Sequence, residues 1–234
     1  MSATRRTQEA RGRRRIYDAV VVGGGPAGAV SGWSLATRGV RVLILDRARF
    51  PREKVCGDFV EPRGLRLFGK MGCLSRLEAT GPLAITHVNL FLNGSSAYRG
   101  SIPFYAAHSD LPPYGYIIPR EELDHRILAS AVEAGAELRE GCHVSGVERS
   151  GSKMVVRVRD GDRDETVQAR IVIGADGTHS IVARSFDLLS NDPRYIAVSQ
   201  RAYVEGVDTT RGEAAFVFDR DLFPGYGWMF PMSH

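Results

Sequence analysis

The chain has 234 residues, 43% of them hydrophobic and 25% charged, which is enough apolar material to bury a core of one or two domains. Its formal net charge of +4 arises from the N-terminal segment, because residues 1–15 hold six arginines and one glutamate. The remainder is close to neutral, which argues against a nucleic-acid-binding face, and we expect residues 1–15 to be a disordered basic tail. No apolar stretch approaches the roughly 18 residues of a transmembrane helix, so only peripheral membrane contact stays open.

The cysteine pattern indicates the cellular compartment. Cys56, Cys73 and Cys142 are odd in number and lack the spacing of metal ligands. Such usage is typical of a reducing compartment, and it argues against both a disulfide framework and a zinc site. We therefore expect a cytoplasmic protein without a bound metal.

The first predicted elements form one βαβ unit. Residues 17–22 are a short β-rich run that ends in a glycine-rich turn, residues 27–38 have a helical pattern, and residues 41–45 are again a strand. A strand, a turn, a helix and a second strand within roughly 30 residues imply a parallel strand pair with a right-handed crossover. The sequence therefore predicts a Rossmann-like core at the start of the chain.

The remaining predicted elements alternate between this parallel layer and a second one. Helices are predicted at residues 62–71 and 120–134, and strands at 142–147, 154–158 and 167–173, with a hairpin around residues 160–162. Residues 82–118 and 196–218 show alternating apolar positions without a helical period, which is typical of antiparallel strands, and the second stretch predicts two of them. We expect the strand at 167–173 to return to the parallel layer and to lead into a short helix.

A glycine pattern marks the turn after the first strand. Gly23-x-Gly25-x-x-Gly28 opens the helix directly after the strand, and Asp46 ends the second strand. In a dinucleotide-binding turn the first glycine permits the tight turn, the second lets backbone approach the pyrophosphate, and the third lets the helix pack on the strand. The phosphates meet N–H groups at the positive end of the helix, and the acid accepts from the ribose hydroxyls. The pattern predicts a dinucleotide, NAD or FAD.

Four further segments carry a resemblance to a known family. They are Phe50-Pro51-Arg52-Glu53-Lys54-Val55-Cys56-Gly57-Asp58 with Pro62-Arg63, Arg120-x-x-x-Asp124, Gly174-Ala175-Asp176-Gly177-x-x-Ser180 with Arg184, and Pro224-Gly225-Tyr226-Gly227-Trp228-Met229-Phe230-Pro231. With them the chain resembles, over nearly its whole length after residue 16, the geranylgeranyl reductase family of FAD-dependent oxidoreductases. These enzymes have the p-hydroxybenzoate hydroxylase-type fold and reduce isoprenoid double bonds.

The resemblance implies FAD as cofactor and a small-molecule or lipid substrate with an apolar chain, with an unidentified electron donor and no nucleic acid. The cofactor contacts that it implies, together with the glycine pattern, are Gly23, Gly25, Ala27, Gly28, Asp46, Arg47, Cys56, Gly57, Asp58, Arg120, Val144, Asp176 and Gly177. The implied catalytic residues are Cys56, Tyr226 and Trp228. The fold class is then α/β with α+β elements, a Rossmann-like FAD-binding βαβ core with an inserted antiparallel β-sheet substrate region. We expect the FAD-binding domain at residues 16–81 and 119–190, and the substrate region at 82–118 and 191–234.

Several of these residues have a plainer interpretation. Arg52 and Lys54 are predicted either to hold the FAD phosphates or to be solvated loop charges. Cys56 is either close to the isoalloxazine ring or a buried, inert thiol. The alternating aromatic rings of residues 226–230 share one face of a strand and either line an apolar slot for a hydrocarbon or pack in the core.

Two other function classes remain open at this stage. A flavin monooxygenase or halogenase shares the glycine pattern and the Asp176-Gly177 motif. Tyr226 in the aromatic segment and Cys56-Gly57-Asp58 after the second strand favour the reductase. A non-enzymatic, truncated domain is the third interpretation. Proteins of this fold carry a further Gly-Asp flavin motif several tens of residues beyond the aromatic segment, and residues up to 234 do not contain it. We therefore expect the substrate region to be incomplete.

Overall fold

A computed structural model describes residues 16–107, 109–189, 192, 194 and 196–232. The predicted basic tail, residues 1–15, lies outside the described residues. The chain divides into two compact units, the first formed by Met1–Phe50 and Ile127–Asp192 and the second by Pro51–Arg126 and Pro193–His234.

The described helices and strands are, in chain order, β1 (Ile16–Val22), α1 (Pro26–Ala36), β2 (Val42–Asp46), β3 (Phe59–Val60), α2 (Pro62–Lys70), α3 (Leu74–Glu78), β4 (Leu83–Ile85), β5 (His87–Leu92), β6 (Ser95–Ser101), α4 (Ile102–Ala106), β7 (Gly115–Ile117), α5 (Arg120–Glu133), β8 (Glu137–Glu140), β9 (Cys142–Ser150), β10 (Lys153–Asp160), β11 (Arg163–Gly174), α6 (Ile181–Ser185), β12 (Glu213–Phe218) and β13 (Gly227–Met229). A short 3₁₀ helix, Arg220–Leu222, lies between the last two strands. Among the described residues, no helix is both long and apolar enough to span a bilayer.

The first unit contains a six-stranded sheet in the order β8-β2-β1-β11-β10-β9. β1 pairs in parallel with β2 and with β11, so that Val22 lies opposite both Leu45 and Gly174. The long strand β11 also pairs antiparallel with β10, and β10 with β9. The predicted βαβ unit, the hairpin at residues 160–162 and the return of the last strand to the parallel layer are therefore confirmed.

The core of the first unit lies along the central strands. β1 ends in three valines and β2 begins with Val-Leu-Ile-Leu, and such apolar runs are the pattern of strands buried on both faces. Val20 and Leu43 are fully buried in this core. α1 lies close to the sheet because it carries glycines: a Cβ added to Gly32 would be 2.5 Å from Cδ1 of Ile44. Gly32 was not among the predicted packing residues.

The second unit contains two smaller sheets. One has the order β3-β7-β4 and is antiparallel, and the other has the order β13-β12-β5-β6. In the second sheet β12 pairs with β5 in parallel, whereas the other neighbours pair antiparallel. The core of this unit is formed by Ile85, Ile117 and Ala214, with partly buried Phe216 and Phe230 packed against it.

A polar cluster lies within the four-stranded sheet. The Glu213 carboxylate accepts hydrogen bonds from Asn89 Nδ2 at 2.9 Å and from Arg99 Nε at 2.6 Å. Burial opposes ionisation of this side chain, but the two donors outweigh it and lower the pKa of Glu213. The charged carboxylate therefore stabilises the folded unit.

Three sequence-based expectations about this unit need correction. The prediction of two strands in residues 196–218 was wrong: the described residues 196–212 form no strand, and only β12 follows. Several apolar side chains that suggested a strand are exposed, Val198 by 89%, whereas a strand packed on a sheet would bury them. α4 interrupts the predicted strand region, and the parallel pairing of β12 with β5 departs from a wholly antiparallel sheet. The compact units divide after Phe50 and Arg126, whereas the predicted domain limits of 81 and 119 stay predictions.

Candidate functional site

The glycine turn of the first unit is formed where β1 and β11 end side by side. Gly23 has φ +104°, and a Cβ at this position would lie 2.3 Å from the carbonyl oxygen of Ala175. The Ala175 N–H in turn donates to the carbonyl oxygen of Val22 at 2.8 Å. Only glycine combines this dihedral angle with so close an approach of a second chain segment. The structure thus brings predicted residue Gly23 next to the predicted Asp176 segment.

The start of α1 fits a dinucleotide pyrophosphate. A Cβ on Gly28 would lie 1.7 Å from the carbonyl oxygen of Gly23, so the helix approaches the turn more closely than any side chain permits. Gly25 is the N-cap, Pro26 follows it, and within the described turn no side chain caps the helix and no acidic residue lies in its first turn. The first N–H groups of this eleven-residue helix therefore have no side-chain cap, which leaves donors of the kind that bind phosphate. Ala27 is exposed in this first turn.

Asp46 lies beside this turn, at the end of β2. Its Oδ2 accepts a hydrogen bond from the Gly24 N–H at 2.6 Å, and its Oδ1 accepts from the Ala48 N–H at 2.7 Å. These bonds hold the carboxylate in one orientation, and a carboxylate with four lone-pair positions can still accept from ribose hydroxyls. Arg47 is exposed next to it.

Asp176 organises the turn after β11. Its Oδ1 accepts from the Ser180 hydroxyl at 2.6 Å and its Oδ2 from the Ile181 N–H at 2.6 Å, so the side chain holds the start of α6. Gly177 beside it has φ +79°. Both residues lie at the carboxyl end of the parallel strands, where ligands bind in open α/β sheets. Predicted residue Val144 lies elsewhere, with its side chain in the core of the first unit and 6% exposed.

In the second unit, the predicted residue Arg120 belongs to a cluster of charged side chains around a buried carboxylate. Its guanidinium donates two parallel hydrogen bonds, both 2.8 Å, to the carboxylate of Asp124, which is 0% exposed. Arg52 Nη2 also lies 3.0 Å from Asp124 Oδ2. Arg52 is therefore not a solvated loop charge, and its charge is directed at a buried carboxylate. The bidentate geometry fixes the start of α5.

A second cluster surrounds Asp58, which is 5% exposed. Its Oδ1 accepts from the Arg120 N–H at 3.2 Å and from Arg201 Nη1 at 3.1 Å, and its Oδ2 accepts from the Tyr203 hydroxyl at 3.0 Å. Burial raises the pKa of Asp58 even though these donors oppose the shift. Asp58 was predicted to lie in the cofactor site, whereas neither Arg201 nor Tyr203 was predicted to belong to a site.

Arg201 holds the Cys56 segment in place. Its Nη1 also donates to the carbonyl oxygens of Lys54 at 3.2 Å and Cys56 at 3.3 Å, and the guanidinium forms an ion pair with Glu53. Cys56 is exposed and forms no disulfide, which contradicts the alternative of a buried thiol. No motif surrounds Arg201, so no local signal in the sequence could have identified it.

A cavity of about 810 Å³ opens in the second unit beside this cluster. Its apolar wall includes Ile117, Trp228 and Phe230. A Cβ on Gly57 would be 3.7 Å from Cε2 of Phe230, so the segment after Cys56 touches the same aromatic wall. Tyr226 is not among the described residues that line the cavity. Its ring stacks on Phe218, with the ring centroids 5.5 Å apart. The structure thus brings predicted residue Trp228 to a cavity and leaves predicted residue Tyr226 outside it.

The described residues contain no group of three or more His, Cys, Asp or Glu side chains placed to hold a metal ion. The parallel strands β2, β1 and β11 with the glycine turn define the class of the protein, a dinucleotide-binding protein of the Rossmann-like type. The chain belongs to the FAD binding domain family, whose sequence model matches residues 16–214, and FAD is its cofactor. The resemblance to FAD-dependent geranylgeranyl reductases is confirmed by similarity to curated proteins with that name.

Two curated relatives illustrate the sequence similarity. The chain is 32% identical over 227 residues to a protein named menaquinone reductase from Mycolicibacterium smegmatis, with 93% of this chain and 52% of the relative covered. It is 33% identical over 225 residues to a protein named geranylgeranyl diphosphate reductase from Rhodobacter capsulatus, with 92% and 52% covered. The chain therefore spans about half the length of the curated relatives that it matches.

Solved structures show the same fold. The flavin-dependent halogenase CmlS superposes with a TM-score of 0.75 at 22% identity, over 94% of this chain and 40% of that one. The flavin-dependent monooxygenase PieE, solved in complex with FAD and substrate, has a TM-score of 0.62 at 25% identity, over 74% of this chain and 32% of that one. The predicted fold class, an FAD-binding Rossmann-like core with further sheets, is therefore confirmed.

Proposed function

We propose that this chain provides the FAD-binding and substrate-binding parts of an oxidoreductase that reduces carbon–carbon double bonds in an isoprenoid chain. The observation that carries the proposal is the cavity of about 810 Å³, which is large enough for a lipid-sized ligand and has Trp228 and Phe230 in its apolar wall. The relative named geranylgeranyl diphosphate reductase supports a prenyl chain as the occupant.

The residues of the first unit would hold the ADP half of the cofactor. The N–H groups at the start of α1 receive the pyrophosphate, while Asp46 accepts from the adenosine ribose. Gly23 and Gly28 are required because the turn, the helix and the end of β11 approach within distances that exclude a Cβ. When bound and reduced, FAD supplies the hydride equivalent that double-bond reduction needs.

The second unit would bind and orient the substrate. The stacked rings of Trp228 and Phe230, with centroids 6.4 Å apart, provide a flat apolar surface for a hydrocarbon. The reaction adds a hydride to one alkene carbon and a proton to the other. Asp58 and Tyr203 both line the cavity and share a hydrogen bond, so they hold a proton beside the apolar wall.

The proposal is tested with the natural protein that carries this sequence, purified with FAD and reduced with dithionite under anaerobic conditions. A prenyl alcohol should gain two hydrogen atoms per double bond, as measured by mass spectrometry, while the flavin absorbance of the oxidised state returns. Trp228→Ala should lower the rate at least about tenfold without loss of FAD, because Trp228 is assigned to the substrate. Tyr98→Ala replaces an aromatic residue of β6 that does not line the cavity, and it should keep the wild-type rate.

A flavin monooxygenase is the second candidate, favoured by the 25% identity to PieE. The two candidates differ in what they do with oxygen. If prenyl lipids leave the reduced enzyme unchanged under anaerobic conditions, and an aromatic substrate with oxygen yields a hydroxylated product, the monooxygenase replaces the reductase.

A further inference from the structure

The cavity of the second unit has two chemically different ends. Trp228, Phe230 and Ile117 belong to its apolar side, whereas its charged lining residues are Glu53, Asp58, Glu121, Arg201 and Glu205. An occupant that fits both ends has a hydrocarbon part and a polar head group. The charges of the polar end therefore bear on which head group the cavity accepts.

Arg201 is the one cation among the described residues that line the cavity. Its side chain is 9% exposed and already donates to Asp58 Oδ1 and to the carbonyl oxygens of Lys54 and Cys56. It also forms an ion pair with Glu53. Arginine frequently binds a phosphate through two parallel N–H donors. In Arg201 the Nη1 donor is directed at Asp58 and two backbone carbonyls and Nη2 is paired with Glu53, so both terminal nitrogens are already engaged by the protein.

The remaining charges of the lining are negative. Glu53 and Asp58 are paired with Arg201, and Glu121 and Glu205 add two further carboxylates to the lining. Glu121 and Glu205 are exposed at the surface and form no ion pair with Arg201 in the described residues. A diphosphate placed among these carboxylates would be repelled, because like charges brought together disfavour binding. Carboxylates are also pure hydrogen-bond acceptors, so their natural partner is a donor such as a hydroxyl group.

We infer that the lipid bound in this cavity carries an uncharged, hydroxyl-bearing head group, an alcohol or a hydroquinone, and not a phosphate or diphosphate ester. The inference rests on the proposed function, since it names the substrate class of the same cavity. It assigns a specificity role to the acidic lining, in which Glu121 and Glu205 exclude anionic head groups.

The test compares two ligands that share one hydrocarbon chain, the ten-carbon prenyl alcohol geraniol and geranyl diphosphate. Binding to the purified chain is measured by the fluorescence of Trp228 in a Trp33→Phe background, so that the readout does not depend on turnover. The alcohol should bind at least about tenfold more tightly than the diphosphate at 0.1 M salt. The preference should shrink at 1 M salt, where the Debye length falls from about 10 Å to about 3 Å.

Charge-removing variants identify the source of the preference. The double variant Glu121→Gln/Glu205→Gln should tighten diphosphate binding several-fold and leave alcohol binding unchanged. Asp110→Asn removes an exposed carboxylate of the same unit that does not line the cavity, and it should change neither affinity. Equal or tighter binding of the diphosphate by the wild-type chain would overturn the inference and leave lipid binding intact. If neither ligand binds, the proposed function itself, reduction of a prenyl lipid bound in this cavity, is refuted.

Discussion

Replacement of Gly28 by alanine tests whether the close contact between α1 and the glycine turn holds the first unit together. The added Cβ would lie 1.7 Å from the carbonyl oxygen of Gly23, and separations under 3.0 Å do not occur for real Cβ atoms. Helix and turn must therefore move apart by more than an ångström. Overpacking of this kind costs roughly 1–3 kcal/mol and occasionally more, while the better helix propensity of alanine returns about 1 kcal/mol.

We expect Gly28→Ala to lower the free energy of unfolding by up to about 2 kcal/mol, which is a fall in Tm of up to roughly 8 °C for a chain of this size. FAD should also be lost, because the start of α1 no longer lies beside the turn. The assays are thermal unfolding by circular dichroism and flavin absorbance after gel filtration. Gly146→Ala is the matched control in the same unit, since its Cβ would meet Arg157 at an ordinary 3.7 Å. A Gly28→Ala protein that melts with the wild type and retains its flavin would refute the packing argument.

Two further predictions concern buried carboxylates in the second unit. Asp124→Asn should lower the free energy of unfolding by about 3–5 kcal/mol in denaturant titrations, because it leaves two arginines facing a neutral side chain, whereas loss of the exposed carboxylate in Asp110→Asn should cost less than about 1 kcal/mol. Equal costs for the two variants would contradict the role of burial. The lowered pKa of Glu213 means that its stabilisation is present above the unfolded pKa and is lost as the pH falls through the folded pKa. Wild-type protein should therefore lose more stability than Glu213→Gln on acidification below about pH 4.5, measured as denaturant midpoints across pH; parallel curves would refute it.

The parts of the site that depend on local sequence could be predicted. The glycine turn follows a strand and opens a helix, so its conformation is encoded within a few residues. Gly32 could also have been found, because it lies four positions after Gly28 on the same helix face. The position of Arg201 could not be predicted, since its partner Asp58 is 143 residues away and neither residue type specifies the other.

The errors in the fold have a similar origin. Alternating apolar residues predict a strand only when one face of it is buried, and the apolar side chains of the segment before β12 are exposed. The five-residue helix α4 is too short to show a helical period. The parallel pairing of β12 with β5 joins segments that are far apart in the chain, and strand patterns do not specify their partners.

The contact between Gly23 and Ala175 has a consequence for how the protein is made. β1, α1 and β2 leave the ribosome before β11, and the glycine turn is completed only when β11 pairs with β1, about 150 residues later. At synthesis rates of 5–20 residues per second this interval lasts roughly 8–30 s. During that time the apolar edge of β1 has no partner on one side, and such an edge readily pairs with other chains. The nascent segment that carries β1 is therefore a natural client for chaperones, and products of premature termination before Arg163 would lack the strand that completes the glycine turn.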